Sequence, residues 1–110
     1  MSDELGPLQA LVGTWEGDGG LDSAFSHAHG KVISTPYRER ATFTPIPPVH
    51  NGRQQLMGLD YRTEMWRGED SAPFHAEVGY WLWDADGGEV LRAFVVPRGV
   101  TVLAGGPAAA

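Results

Sequence analysis

Residues 73 to 83 read P-F-H-A-E-V-G-Y-W-L-W, and the reading of this stretch decides the fold. Strict alternation sets Phe74, Ala76, Val78, Tyr80 and Leu82 on one face of a strand and His75, Glu77, Gly79, Trp81 and Trp83 on the other. One face is apolar and the other mixed, the asymmetry of a half-buried antiparallel strand; a strand buried on both faces reads as a continuous aliphatic run. A helix would scatter the apolar residues around its axis, and the aromatic and β-branched content favours a pleated surface. His75 is the titratable residue of most interest, because it lies within this strand.

Working outward, composition sets the limits. A chain of 110 residues is expected to form one domain, 1–110, since it can bury a single core but little beyond it. Hydrophobic residues are 42% and charged residues 20%, too apolar for disorder. The 15 glycines and 8 prolines punctuate short apolar runs, which points to many short strands and turns. With a net charge of -6 and eight unclustered Lys and Arg, the chain carries no electrostatic footprint for nucleic acid or an anionic membrane. The absence of cysteine excludes disulfides, thiolate metal sites and thiol nucleophiles. The start M-S-D-E-L-G has no apolar stretch of a secretory leader, and no run reaches membrane-spanning length, so the expected location is cytoplasmic.

Along the chain, Leu8, Leu11 and Val12 follow helical spacing, which predicts a short helix over 5–12, ended by Gly13. Thr14-Trp15-Glu16 opens a first strand. The glycines Gly17, Gly19 and Gly20 that follow allow tight bending but lack the helix and Lys-Ser/Thr of a phosphate loop. Residues 21–30 have little periodicity and read as a loop; His27 and His29 share a face if extended, but with no third ligand they make no metal site. Lys31 to Thr44 reads as strand with a break at Pro36. Glu39 shares a face with Tyr37, Ala41 and Phe43 and is either an inward carboxylate or the partner of an arginine. Pro45, Pro47, Pro48 and Asn51-Gly52 predict a loop and turn. Gln54 to Trp66 alternates with Met57, Leu59, Tyr61, Thr63 and Met65 on its core face. Turns at 67–70, 84–88 and 97–99 separate the central strand, a strand at 89–96 and one begun by Val100-Thr101-Val102-Leu103; Gly105 to Ala110 reads as non-strand.

The count is about six or seven strands in a meander, whereas a barrel around a small ligand takes roughly eight. The sheet is therefore expected to be open and the sequence to be a shortened version of something longer. An uncovered apolar face and a frayed last strand then call for a second copy, so a homodimer is expected.

Three blocks carry a resemblance. L-V-G-T-W-E-G-D-G-G, with Gly13, Trp15, Gly17 and Gly19, resembles the G-x-W-x-G-x-G opening of the nitrobindin and fatty-acid-binding-protein-like barrel family. Tyr37-Arg38-Glu39 with Phe43 resembles its second block, and Pro73 to Tyr80, including Glu77 and Gly79, is similar to its P-x-H-x-E-x-G-Y block. Pro97-Arg98-Gly99-Val100 sits where the family turns into another strand. The resemblance covers 5–105, with 106–110 as a tail. It implies an all-β, antiparallel, lipocalin-like barrel preceded by a short helix, and a pocket for a small hydrophobic ligand. Phe74 and His75 fall on the distal side of that pocket, and Trp15, Tyr37, Tyr61 and Tyr80 are its further candidate ligand contacts. Haem b is the cofactor the resemblance implies. The proximal histidine of haem-binding members lies in strands that follow the point where this sequence stops, and their Tyr-Pro-Thr-Ile segment is replaced by Leu21-Asp22-Ser23-Ala24-Phe25. The expectation is weak haem uptake, or none, by this chain.

Three classes of function remain open: a barrel binding a small hydrophobic ligand; a ferric-haem peroxynitrite isomerase, the activity described for haem-loaded members, if further strands complete the barrel; and a ligand-free assembly subunit. No catalytic residue is assigned, since Ser26 and His27 are neighbours in sequence and not a positioned dyad. His75 and Glu77 form either a His–carboxylate pair or part of the barrel rim.

Overall fold

The computed structural model describes residues 2–26, 28, 30–52 and 54–109. Six strands, β1 (Gly13–Ser26), β2 (Lys31–Asn51), β3 (Gln54–Arg67), β4 (His75–Asp84), β5 (Glu89–Val96) and β6 (Val100–Pro107), follow a 3₁₀ helix over Ser2–Leu11. They form one antiparallel sheet in sequence order, so every connection is a hairpin. The sheet does not close: β1 and β6 are its edges.

Cross-strand partners share a face, so the register assigns every residue a side. Ala41, Thr63 and Glu77 form one such row, and Phe43, Tyr61, Gly79 and Phe94 the next. The helix packs on this side, where Leu5, Leu8, Leu59 and Trp83 make the core cluster. Leu59 and Thr63 are fully buried and Tyr61 nearly so, which bears out the core face expected of β3.

On β4 the outcome is the reverse of what alternation alone suggests. The mixed face is the helix-bearing one, while Val78 and Tyr80 of the all-apolar face stand exposed. The physical reason is that the polar members of the mixed face satisfy one another, which removes the penalty that otherwise keeps them outside.

Four local expectations are corrected. Residues 21–26 are strand, because β1 and β2 run on as a hairpin arm paired from Gly20 opposite Tyr37 to Ser26 opposite Lys31. Leu21 and Val32, which share a face, are more than 60% exposed there, so apolar residues meet solvent on that face and burial does not impose the alternation that marks a strand. Pro36 does not break β2, and residues 45–50 continue it; the register shift between Ile46 and Val49 accommodates Pro47 and Pro48, which have no N–H to give the ladder. Gly105 to Pro107 pair with Leu91, Val90 and Glu89, and Ala108 N donates to Gly88 O at 3.0 Å, so β6 extends beyond the expected end. The helix is 3₁₀ and is kinked at Gly6, whose φ of 53° and closeness to the Trp83 indole admit no side chain. His27 and His29, the candidate metal pair, lie outside the described residues.

Candidate functional site

Glu77 is the centre of the helix-bearing face. Register sets it beside Thr63, two residues from His75 on the same side of β4. Its Oε1 accepts from Tyr61 Oη at 2.9 Å and from Arg92 Nη2 at 2.8 Å, and its Oε2 lies 2.8 Å from His75 Nε2. Burial raises its pKa, but the hydrogen bonds from His75 and Tyr61 and the Arg92 charge outweigh that, and Glu77 is held below the ordinary carboxylate value. Tyr61 moves the other way: burial first, then the hydrogen bond to Glu77 and its charge, push the phenol up to about 12. Arg92 stacks on this cluster with its guanidinium 4.2 Å from the Phe94 ring centre and 5.0 Å from that of Trp81. The His–carboxylate pair is thus formed, and it belongs to a four-residue network whose Arg92 member sequence reading missed. The signal was available: Arg92 interrupts the apolar run of 90–96.

Glu39 is an inward carboxylate, accepting from Thr63 Oγ1 at 2.7 Å and not paired with an arginine by any hydrogen bond or ion pair described. Beside it Trp15, Gly17, Gly19, Gly20, Tyr37 and Ala41 line a groove of about 400 Å³. A Cβ built on Gly17 or Gly19 meets no atom within 4 Å, so these motif glycines leave open space in the groove wall. Gly13 opens β1 at φ 127°. Phe74 precedes β4, its N–H donating to Met65 O at 2.9 Å, and its ring meets Tyr37 edge-on at 5.8 Å. Gly79 sits under β5, where a Cβ would strike Ala93 O and the Phe94 Cα.

Of the six candidate ligand contacts, Trp15, Tyr37, Tyr61 and His75 share the helix-bearing face, and Phe74 reaches Tyr37 from the loop before β4. Tyr80 is 46% exposed on the opposite face. That face carries a larger groove of about 880 Å³ running across Arg62, Val78, Tyr80 and Val95. It is the roomier of the two, and of the Glu77 network only Tyr61 borders it.

A family model described as a THAP4-like, haem-binding β-barrel domain matches residues 4–110. The chain belongs to this family. It agrees with the motif blocks at residues 11–20 and 73–80 and with the all-β meander. The chain is 36% identical over 107 residues to a peroxynitrite isomerase of Paenarthrobacter aurescens, covering 88% of this chain and 47% of that protein. It is 35% identical over 107 residues to one of Pseudarthrobacter chlorophenolicus, covering 88% and 46%. A peroxynitrite isomerase of Arabidopsis thaliana is 31% identical over 83 residues, covering 76% and 42%. The chain thus spans about half the length of the curated relatives it matches. No solved structure matches it significantly.

The haem of the family asks for an imidazole nitrogen free to bind iron. His75 has its Nε2 held by Glu77, and His50 lies exposed near the end of β2. Among the described residues no cluster of three metal-ligating side chains occurs. The Nε2 of His75 is engaged by Glu77, so an axial bond to iron from that nitrogen would require the contact to break. No described helix is long and apolar enough to cross a membrane.

Proposed function

We propose that this chain, as a single domain, forms the ligand-cradling part of a small-ligand β-barrel and holds a flat hydrophobic molecule against its helix-bearing face. The carrying observation is the open space beside Gly17 and Gly19 in a groove walled by Trp15 and Tyr37. Tyr61, Phe74 and His75 extend the contact surface from that groove; Tyr80 does not face it. Haem is the family's ligand type; the described histidine on the ligand face is His75, whose Nε2 is engaged by Glu77, and this reading has haem bound weakly or not at all. The names of the relatives favour a second reading, peroxynitrite isomerisation, which would need an axial iron ligand.

The same reading has a second copy as the protein partner, pairing along the sheet edge, where Leu103 of β6 is 78% exposed. It places the barrel in the cytoplasm, in keeping with a chain free of cysteine. The test is Gly17→Val, which adds bulk at a groove-lining position where a Cβ meets no protein atom within 4 Å. Protoporphyrin IX uptake, followed by its fluorescence, should fall at least roughly tenfold while the urea midpoint stays put. Uptake unaffected by Gly17→Val would refute the assignment.

A further inference from the structure

Residues 68–73 join β3 to β4 and are all exposed, so no buried apolar side chain fixes their course. Polar contacts do so instead. Arg38 donates from Nη1 to Gly68 O at 2.9 Å and from Nη2 to Asp70 O at 3.1 Å, with its guanidinium 5.1 Å from the centre of the Trp66 ring. Gly68 N donates in turn to Pro36 O at 3.3 Å. The turn is thereby tied to the two residues that flank Tyr37 in β2. A guanidinium set on two carbonyls fixes direction as well as distance, because its N–H groups form a rigid fork.

Tyr37 faces the other way, into the groove that it lines with Trp15 and Gly20. Its ring fills the space beside Gly20, where a Cβ would strike it, and Phe74 meets it edge-on at 5.8 Å. The Arg67 guanidinium covers the Phe74 ring at 4.1 Å. Phe74 is the first residue after the turn to be partly buried, so its place against Tyr37 follows from where the turn delivers the chain.

We infer that Arg38 is a positioning residue for the ligand groove: by clamping the 68–70 turn from the opposite side of β2 it holds Phe74 against Tyr37, and this wall makes the groove selective for flat ring systems over those with groups standing out of the plane. The inference rests on the helix-bearing face being the ligand face and adds what sets its selectivity.

The test measures two porphyrins on the 110-residue chain by their emission: protoporphyrin IX, which is flat, and meso-tetra(4-carboxyphenyl)porphyrin, whose aryl rings stand out of the macrocycle plane. The unaltered chain should favour protoporphyrin IX by roughly tenfold or more. Arg38→Met and Phe74→Ala should each cut that ratio by about threefold or more, and the double variant should cut it no further than the larger single effect, since both remove the same wall. Arg38→Lys, which keeps the charge without the fork, should fall between, and it carries the comparison if Arg38→Met does not fold. A purely structural brace would lower the urea midpoint and leave the ratio alone. A ratio unchanged by loss of the Arg38 fork, or effects of Arg38→Met and Phe74→Ala that simply add, overturns the clamp. No preference in the unaltered chain, or a ratio indifferent to Phe74→Ala, overturns the wall and leaves the groove standing. Failure of both porphyrins to bind overturns the ligand face as well.

Discussion

Glu77 accepts from three side chains, and its titration reports whether that arrangement exists in solution. Its folded pKa lies below the ordinary value, so its contribution is complete above the unfolded carboxyl pKa and is lost as pH falls through the folded one. Tyr61 has the opposite sign: raised to about 12, it contributes fully below the ordinary tyrosine value and loses that contribution as pH rises through about 12. Urea midpoints measured against pH should therefore show a flattened acid limb in Glu77→Gln and a flattened alkaline limb in Tyr61→Phe. At neutral pH Glu77→Gln should destabilise by about 1–3 kcal/mol, because Gln accepts less strongly and presents an N–H to neighbouring donors. At this scale the sequence is partly legible. The i, i+2 spacing of His75 and Glu77 is enough by itself to set them on one strand face. Arg92 and Tyr61 come from other strands, and only the register of β3, β4 and β5 brings them to Glu77.

Strands differ in how far their pattern betrays them, and the glycines between them separate packing from function. Gly79 lies against the β5 backbone, so Gly79→Ala must push β4 and β5 apart and should cost about 3 kcal/mol or more in urea unfolding. Gly17, with nothing near its Cβ position, should change stability by no more than about 0.5 kcal/mol as Gly17→Ala. Equal effects at the two positions would show that the β4–β5 approach is not as close as described. β3 is readable because one side is buried and the other wet. The β1–β2 arm is not, since Ser23 and Ser34 meet by a hydroxyl hydrogen bond of 2.8 Å in solvent and leave no apolar period to read. Pro47 and Pro48 hide the continuity of β2, because a bulge that absorbs prolines looks in sequence like a loop.

The whole molecule is more extended than its length requires. Its radius of gyration is 16.8 Å, against about 13 Å for a compact domain of this size. An open sheet with a projecting arm explains the difference. It also leaves two edges, and the exposed β6 edge motivates the expected self-association. Sedimentation should show a concentration-dependent dimer that Leu103→Lys weakens, whereas a monomer at all concentrations would remove that partner. The openness is legible from the strand count, and which face serves the ligand is not, because the apolar face of residues 73–83 is the one turned away from the helix. The central claim concerns that face, and the indole N–H resonances of the four tryptophans test it most directly. Trp15 and Trp81 lie on the helix-bearing side, and Trp66, opposite Arg38, on the other. On titration with protoporphyrin IX, the account predicts that the Trp15 and Trp81 signals shift while Trp66 stays fixed; a shift of Trp66 with Trp15 and Trp81 unmoved would contradict it.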